Sequence, residues 1–179
     1  MSLADFQSNY FQLFDLPVDF AVDLAQLGAR YRQLQKELHP DRYAGASAHE
    51  QRLAVQYSAL INEAYTTLRK PLSRVLYLLE LSGMTSKDIA EQHIDGGFLI
   101  MQMELREKLE SMEGLIDPET VLEHLVTEIS EDIMALQKQF SRAYAAGEMS
   151  AAASACVKMQ YLDKLLQEAE QIESRLIDR

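Results

Sequence analysis

Hydrophobic residues recur at helical spacing along nearly the whole chain, and no alternation typical of β-strands persists. In the N-terminal half this pattern predicts a short helix at about Tyr10–Phe14. A hairpin of two longer helices follows. The first runs over about Leu24–Leu38 with Asp23 as its cap, and the second runs from the cap Ser47 to about Arg69.

Each hairpin helix carries apolar residues spaced three and four apart, so that one stripe is predicted to face the other helix. Pro40 must end the first helix at His39, and residues 40–47 are predicted to form a loop. The inward-facing positions are Leu24, Leu27, Tyr31, Leu34 and Leu38 on the first helix and Leu53, Tyr57, Leu60, Ile61, Ala64, Tyr65 and Leu68 on the second.

The pattern changes beyond the hairpin. Pro71 starts a further apolar helix that closes near Gly83. A short helix at about Ser86–Gln92 precedes Gly96-Gly97, which we expect to break the chain. Because the connections between the remaining helices are short, we expect these helices to form an antiparallel three-helix bundle. They lie at about Phe98–Met112, Pro118–Ala146 and Ser150–Ile177.

The sequence therefore predicts an all-α protein of two domains. We place the first domain at residues 1–75, a linker or short helix at 76–83 and the second domain at 84–179. A chain of 179 residues with 47% hydrophobic and 25% charged residues is typical of a folded soluble protein and unlike a disordered one.

Charge separates the two predicted domains. Residues 1–75 carry 8 basic and 8 acidic side chains, whereas residues 76–179 carry 9 and 20, so the whole net charge of −11 lies in the second part. This asymmetry suggests two units with different partners. Because binding to phosphate backbones needs clustered Lys and Arg, an acidic chain is also a poor nucleic-acid ligand, and we expect no nucleic-acid partner.

Cysteine content and hydropathy exclude several other classes. A single cysteine, Cys156, allows no intrachain disulfide framework and no cysteine-based zinc site. No apolar run approaches the ~20 residues of a membrane span. The first fifteen residues are mixed and acidic, unlike a secretory signal or an Arg-rich transit peptide. We expect a cytoplasmic protein without a membrane partner.

No constellation of residues indicates catalysis. The chain has no phosphate-binding glycine loop, no HExxH and no GxSxG motif. His124 and Glu128 are four residues apart and could share a metal, but a metal site needs three or four converging ligands. We therefore interpret this pair as a solvated helix face, and we expect no metal, no cofactor and no catalytic residue.

The tripeptide His39-Pro40-Asp41 stands in an informative context. It directly follows a helix whose basic residues Arg30, Arg32 and Lys36 lie away from the apolar stripe. Proline stiffens this loop, and an aspartate beside a basic face suits an arginine on a partner. The short helix with Tyr10 precedes the pair, and the second helix contains Asn62, Glu63, Ala64, Tyr65 and Leu68.

Residues 8–75 thus resemble the J-domain of co-chaperones that stimulate the ATPase of DnaK-type chaperones. The resemblance implies that the chaperone is contacted by His39, Pro40, Asp41, Arg30, Arg32 and Lys36.

The second half resembles the HscB-type J-proteins of iron–sulfur cluster assembly, and this likeness extends over nearly the whole chain. It implies two partners, an IscU-type cluster scaffold and a dedicated HscA-like ATPase chaperone, and a bacterial origin since no transit peptide is present. The residues that carry it are Arg69-x-Pro71-Leu72-x-Arg74-x-x-Tyr77-Leu78-Leu79, Phe98-Leu99-Ile100-x-Gln102-Met103-Glu104-Leu105-Arg106-Glu107 and Tyr161-Leu162-Asp163-Lys164-Leu165.

Periodicity independently indicates a binding surface on the helix from Phe98. Phe98, Met101, Leu105, Leu109 and Met112 form one stripe, and apolar residues also occur on nearly the opposite side. Because a bundle helix normally has a polar back, apolar residues there point to a partner. The family's scaffold-binding positions map onto Leu99, Ile100, Met103, Glu104, Glu107 and Tyr161. Two departures are Ile100, where methionine is common, and Ser111, where an acidic residue can occur.

Several alternatives stay open at this point. Tyr161 lies at the margin of the core stripe of the last helix, so it suits either the core or the surface. Leu99 and Ile100 could also pack against the J-domain or the Leu76–Leu81 helix, or the patch could serve a dimer. A J-domain co-chaperone for a different client is one rival function, and a carboxylate-rich metal-binding bundle with hydrolytic or redox activity is another.

Overall fold

The computed structural model describes residues 8–177, apart from the side chains of Pro40, Asp41 and Glu113. This part of the chain is helical and contains no strand. Its helices are α1 (Tyr10–Leu13), α2 (Leu24–Glu37), α3 (Ala48–Arg69), α4 (Pro71–Leu81), α5 (Ser86–Ala90), α6 (Gly96–Glu110), α7 (Pro118–Ala145) and α8 (Met149–Ile177), with 3₁₀ turns at Pro40–Tyr43 and Met112–Gly114.

The chain divides into two compact units with the boundary between Leu78 and Leu79, which lies inside α4. Val75, Leu78 and Leu79 are fully buried. Most of residues 76–83, which the sequence analysis treats as a linker or short helix, therefore belong to a helix with a buried face. None of the described helices is both long and apolar enough to cross a membrane.

The first unit is built around the α2–α3 hairpin, and α1 packs against α3. Both hairpin helices begin at the predicted caps, since Asp23 accepts from the backbone N–H groups of α2 and Ser47 forms a reciprocal capping box with Glu50. The stripe prediction is confirmed by the buried residues Leu27, Leu34, Leu38, Tyr57, Ile61, Ala64 and Leu68.

The predicted stripe is wrong at Leu24, which is 53% exposed. It is the first residue of α2, and burial on this helix begins one turn later, at Leu27. Periodicity identifies the inward face of a helix, but it does not show where along the helix the partner begins to cover that face. The predicted loop is also partly ordered as the 3₁₀ turn Pro40–Tyr43.

Arg74 joins three segments of the first unit. Its side chain is 5% exposed, and it donates hydrogen bonds to the carbonyl oxygens of Leu68 and Phe20, each at 2.7 Å. Leu68 lies in the last turn of α3, where carbonyl groups lack helical partners and a positive charge is favourable. The guanidinium also lies 5.3 Å from the centre of the Phe20 ring. Burial lowers the pKa of Arg74.

The second unit is the predicted three-helix bundle. Asp95 and Asp117 cap α6 and α7, Pro118 occupies the first position of α7, and Gly147 ends the α7 region with a φ of +76°. The buried core draws on all three long helices and the turn after α6. Its members are Phe98, Leu105, Leu109, Met112, Leu122, Leu125, Ile129, Leu162, Leu165, Ala169 and Ile172.

Two expectations about the second unit are corrected. Gly96 and Gly97 do not break the chain but form the first turn of α6, because Asp95 caps them. Val121 lies four residues before the buried Leu125, a spacing that predicts the inward stripe of α7, but it is exposed. It lies in the first turn, as Leu24 does in α2.

Cys156 is fully buried, and burial raises the pKa of its thiol to about 12, so the thiol stays protonated at neutral pH.

Candidate functional site

The turn after α2 is held by a hydrogen bond within it and by hydrogen bonds from α3. His39 is exposed, and its carbonyl oxygen accepts a hydrogen bond from the backbone N–H of Arg42 at 2.9 Å, which closes the 3₁₀ turn. The Gln51 side-chain amide donates to the carbonyl oxygens of Tyr43 and Ala46 at 3.1 and 3.2 Å. The turn is therefore fastened to α3 through backbone groups, whatever side chains it carries.

The predicted tripeptide is only partly visible. The backbone of Pro40 and Asp41 forms the start of the 3₁₀ turn, and their side chains lie outside the described residues. His39 is placed at the exposed end of α2, directly after the buried Leu38.

The basic residues near this turn fall into two groups. Arg32 and Lys36 are exposed on α2, and Arg42 joins them because its guanidinium lies 3.5 Å from the carbonyl oxygen of Lys36. We call Arg32, Lys36 and Arg42 the basic surface. Arg42 was missed in the sequence analysis, although its position directly after Asp41 was a usable signal.

Arg30 differs from these three residues. It is half-buried, and its Nε lies 3.1 Å from the carboxylate of Asp15. Asp15 adopts a left-handed backbone conformation with a φ of +56°, which an aspartate tolerates better than most residues. The Arg30 side chain is thus directed to the segment after α1, whereas the basic surface faces solvent.

A pair of stacked tyrosines fixes α2 against α3. The ring centres of Tyr31 and Tyr65 are 3.9 Å apart, and the Tyr31 hydroxyl donates to the Asn62 side-chain oxygen at 2.9 Å. Asn62 and Tyr65 belong to the run that carries the J-domain resemblance. Their contacts give this run a physical role, because they set the rotation of the helix that presents the basic surface.

The exposed side of α6 carries the second predicted group. Leu99, Ile100 and Met103 are 38%, 61% and 63% exposed, and Glu104 and Glu107 are exposed beside them. We call these five residues the α6 patch. The opposite stripe is buried through Phe98, Leu105 and Leu109, with Met101 partly buried, so α6 is two-sided as predicted.

The start of α6 is fixed by Asp95. Its carboxylate accepts from the backbone N–H of Phe98 at 2.9 Å and pairs with Lys158 of α8 at 2.5 Å. The hydrogen bond from Lys158, with that from Phe98 next, lowers the pKa of the Asp95 carboxyl. The Lys158 ammonium also lies 5.3 Å from the centre of the Phe98 ring. These contacts set the rotation of α6 and hence which side chains reach solvent.

The acidic edge of the α6 patch extends further than the sequence analysis placed it. Ile100, Met103, Glu104 and Glu107 line a shallow depression of about 530 Å³ together with Arg106 and Glu110. Arg106 pairs with Glu168 of α8 at 3.2 Å. Glu110 was missed, although its spacing of three from Glu107 places it on the same face. It supplies a carboxylate directly before Ser111.

Tyr161 lies at the margin between core and surface. It is 37% exposed, and its ring meets the buried Phe98 ring edge-on at 6.2 Å. The Lys164 ammonium lies 6.0 Å from the centre of the Tyr161 ring. The residue contributes to the packing of α6 on α8 and also presents area to solvent near the start of α6.

Within the described residues, no three His, Cys, Asp or Glu side chains converge to hold a metal ion. His124 and Glu128 are exposed on α7, and the Glu128 carboxylate lies 3.5 Å from the Lys108 ammonium.

This chain is similar to known proteins over nearly its whole length. Residues 94–170 match the family model for the HSCB C-terminal oligomerisation domain. A co-chaperone protein HscB homolog from Aeromonas hydrophila is 43% identical over 170 residues, which cover 95% of this chain and 99% of that protein.

Two solved structures are similar to this chain over more than nine-tenths of its length. The chaperone HscB from Vibrio cholerae has a TM-score of 0.84 at 40% identity, covering 94% of this chain and 99% of that one. The human co-chaperone protein HscB also has a TM-score of 0.84, at 31% identity, covering 93% of this chain and 82% of that one. The hairpin unit is accordingly a J-domain, the three-helix bundle is a C-terminal helical domain, and the chain belongs to the HscB family of co-chaperones.

Proposed function

We propose that this protein is an adaptor of iron–sulfur cluster assembly in the bacterial cytoplasm. It binds an IscU-type scaffold through its second domain and stimulates ATP hydrolysis by an HscA-like, DnaK-type chaperone through its J-domain. The cluster is cargo on the scaffold, and ATP is held by the chaperone. The chain itself needs neither a catalytic residue nor a cofactor for this role. The observation that carries the proposal is the two-sided α6.

The α6 patch has the composition of a protein-binding anchor. Three adjacent apolar side chains are exposed on one helix face, where a monomeric bundle gains nothing from leaving them in water. The carboxylates of Glu104, Glu107 and Glu110 flank them, which suits a scaffold surface with an apolar centre and a basic border. Tyr161 enlarges this area at the start of α6.

The J-domain supports the second half of the proposal. Arg32, Lys36 and Arg42 place three positive charges next to the turn that begins at His39. Charges at the border of an interface mainly accelerate encounter with an oppositely charged partner. We propose that the basic surface steers the chaperone and that His39, Pro40 and Asp41 trigger hydrolysis. Arg30 supports this contact indirectly, because its ion pair with Asp15 links α2 to the segment after α1.

Calorimetric titration of the IscU-type scaffold tests the α6 patch. Leu99→Ala/Met103→Ala is expected to weaken binding by about 1–2 kcal/mol or more, because buried apolar anchors dominate such interfaces. Val121→Ala/Met134→Ala is a matched control, since both residues are exposed apolar side chains on α7.

Equal affinity of the patch variant and the wild type would show that the scaffold binds elsewhere. A wild-type protein that fails to bind the scaffold, yet still stimulates the chaperone, would mean that the J-domain serves a different client.

A further inference from the structure

A second surface of the C-terminal unit lies away from the α6 patch. A groove of about 750 Å³ runs between the first turns of α7 and the last turns of α8, and all of its lining residues among those described belong to these two helices. Its apolar floor is incompletely covered. Val126, Leu166 and Leu176 are half-buried against the core, and Ile177 at one end is 74% exposed.

The geometry of the groove matches a helix. It extends over residues 119–130 of α7 and 166–177 of α8, which is about 16 Å or three turns. Most of the residues that line the groove come directly after a core residue of the same helix. A step of one residue corresponds to a rotation of about 100° around the helix axis. The α7–α8 pair therefore presents a second apolar seam beside the one that forms the bundle core.

The walls of the groove are acidic. Glu119 and Glu123 stand on the α7 side and Glu170 and Glu173 on the α8 side, all exposed. None of the lysines and arginines whose side chains are described lines the groove. None of the four carboxylates has an ion-pair partner within residues 8–177. An occupant must therefore bring its own positive charges as well as an apolar stripe.

We propose that the α7–α8 groove docks a basic amphipathic helix of a partner protein, about three turns long, with lysines or arginines beside one apolar stripe. The apolar stripe covers Val126, Leu166 and Leu176, and the basic residues meet the two pairs of glutamates. This surface shares no residue with the α6 patch, so the protein can hold such a helix and the proposed scaffold contact on different residues.

A designed peptide serves as the probe. It has fourteen residues with leucines on one helical stripe and lysines beside them, and a peptide of the same composition with rearranged order is its control. Fluorescence anisotropy on the full chain is expected to show about tenfold tighter binding of the striped peptide. Glu123→Gln/Glu170→Gln is expected to weaken that binding by about fivefold or more. The binding should also weaken as salt is raised.

Two control variants make the result specific. Glu131→Gln/Glu148→Gln removes the same charge from exposed positions outside the groove and is expected to change affinity less than about twofold. Leu99→Ala/Met103→Ala should also leave the affinity within about twofold.

If Glu131→Gln/Glu148→Gln weakened peptide binding as much as Glu123→Gln/Glu170→Gln, the attraction would be nonspecific and the proposal would be wrong. If Leu99→Ala/Met103→Ala weakened peptide binding, the peptide would bind on α6. Absence of binding would also overturn it. If sedimentation instead showed a dimer that Glu123→Gln/Glu170→Gln abolishes, the occupant would be a second copy of this chain.

Discussion

At the scale of single residues, Arg74 shows how one side chain organises a small unit. It is a charged residue buried where α3 ends, and it donates to the carbonyl oxygen of Leu68, in the last turn of α3, and to that of Phe20, in the segment before α2. A buried charge is costly unless such hydrogen bonds compensate for its lost hydration. Removal of the guanidinium therefore takes away a charged donor from each of these two carbonyl groups.

Arg74→Met is expected to lower the free energy of unfolding by about 2–4 kcal/mol, since the apolar stem is retained and the charge-assisted hydrogen bonds are lost. Urea unfolding followed by circular dichroism measures the change. Arg74→Lys keeps the charge and is the matched control, with a smaller expected loss. A methionine variant within about 0.5 kcal/mol of the wild type would show that these hydrogen bonds contribute little.

Single residues also show which features of the structure could not be predicted from helical spacing. Helical spacing separates Arg32 and Lys36 from the buried stripe, and the structure exposes both. The same spacing places Arg30 on the flank, but the partner of Arg30 is Asp15, which lies outside α2. A tertiary contact of this kind leaves no periodic signal. Leu24 and Val121 fail for a related reason, because each lies in the first turn of its helix.

At the scale of elements, the contacts of its first turn determine where α6 begins. Two glycines lower helix propensity there and predict a break. The Asp95 cap, its pair with Lys158 and the buried Phe98 together outweigh that preference. The caps Asp23, Ser47 and Asp117 were readable from local sequence because a cap acts within four residues. The Lys158 contact joins two distant helices and was not readable.

The pH dependence of α6 follows from the lowered pKa of Asp95. A carboxyl whose folded pKa lies below its unfolded value of 3.8 stabilises the fold above that value and loses this contribution as the pH falls through the folded pKa. Asp95→Asn keeps a capping oxygen but removes the charge. The wild type is therefore expected to have the higher thermal midpoint at pH 7 and pH 5.

Below about pH 3.8 the two midpoints should converge as Asp95 becomes protonated. Scanning calorimetry of both proteins over this range measures the difference. A gap that stays constant from neutral to strongly acidic pH would show that the Asp95 charge does not stabilise the start of α6.

At the scale of the whole molecule, charge and surface are divided between two units. The net charge of −11 belongs to the part of the chain that contains α6, α7 and α8, while the neutral part contains the basic surface. All-α architecture, the hairpin and the bundle could be predicted from periodicity, caps and short connections. The α7–α8 groove could not, because its floor comes from the first turns of α7 and the last turns of α8, which lie far apart in sequence and meet only in the folded pair.

In the proposed function, one chain triggers a chaperone through the turn at His39 while it holds a scaffold on the α6 patch. Single-turnover ATP hydrolysis by the HscA-like chaperone tests it most directly, with the wild type, His39→Gln and Leu99→Ala/Met103→Ala compared in the presence and absence of the scaffold. We expect His39→Gln to abolish stimulation but to bind the scaffold normally. We expect the patch variant to keep its own stimulation and to lose the additional effect of the scaffold. If His39→Gln stimulated hydrolysis as strongly as the wild type, the turn at His39 would not be the trigger.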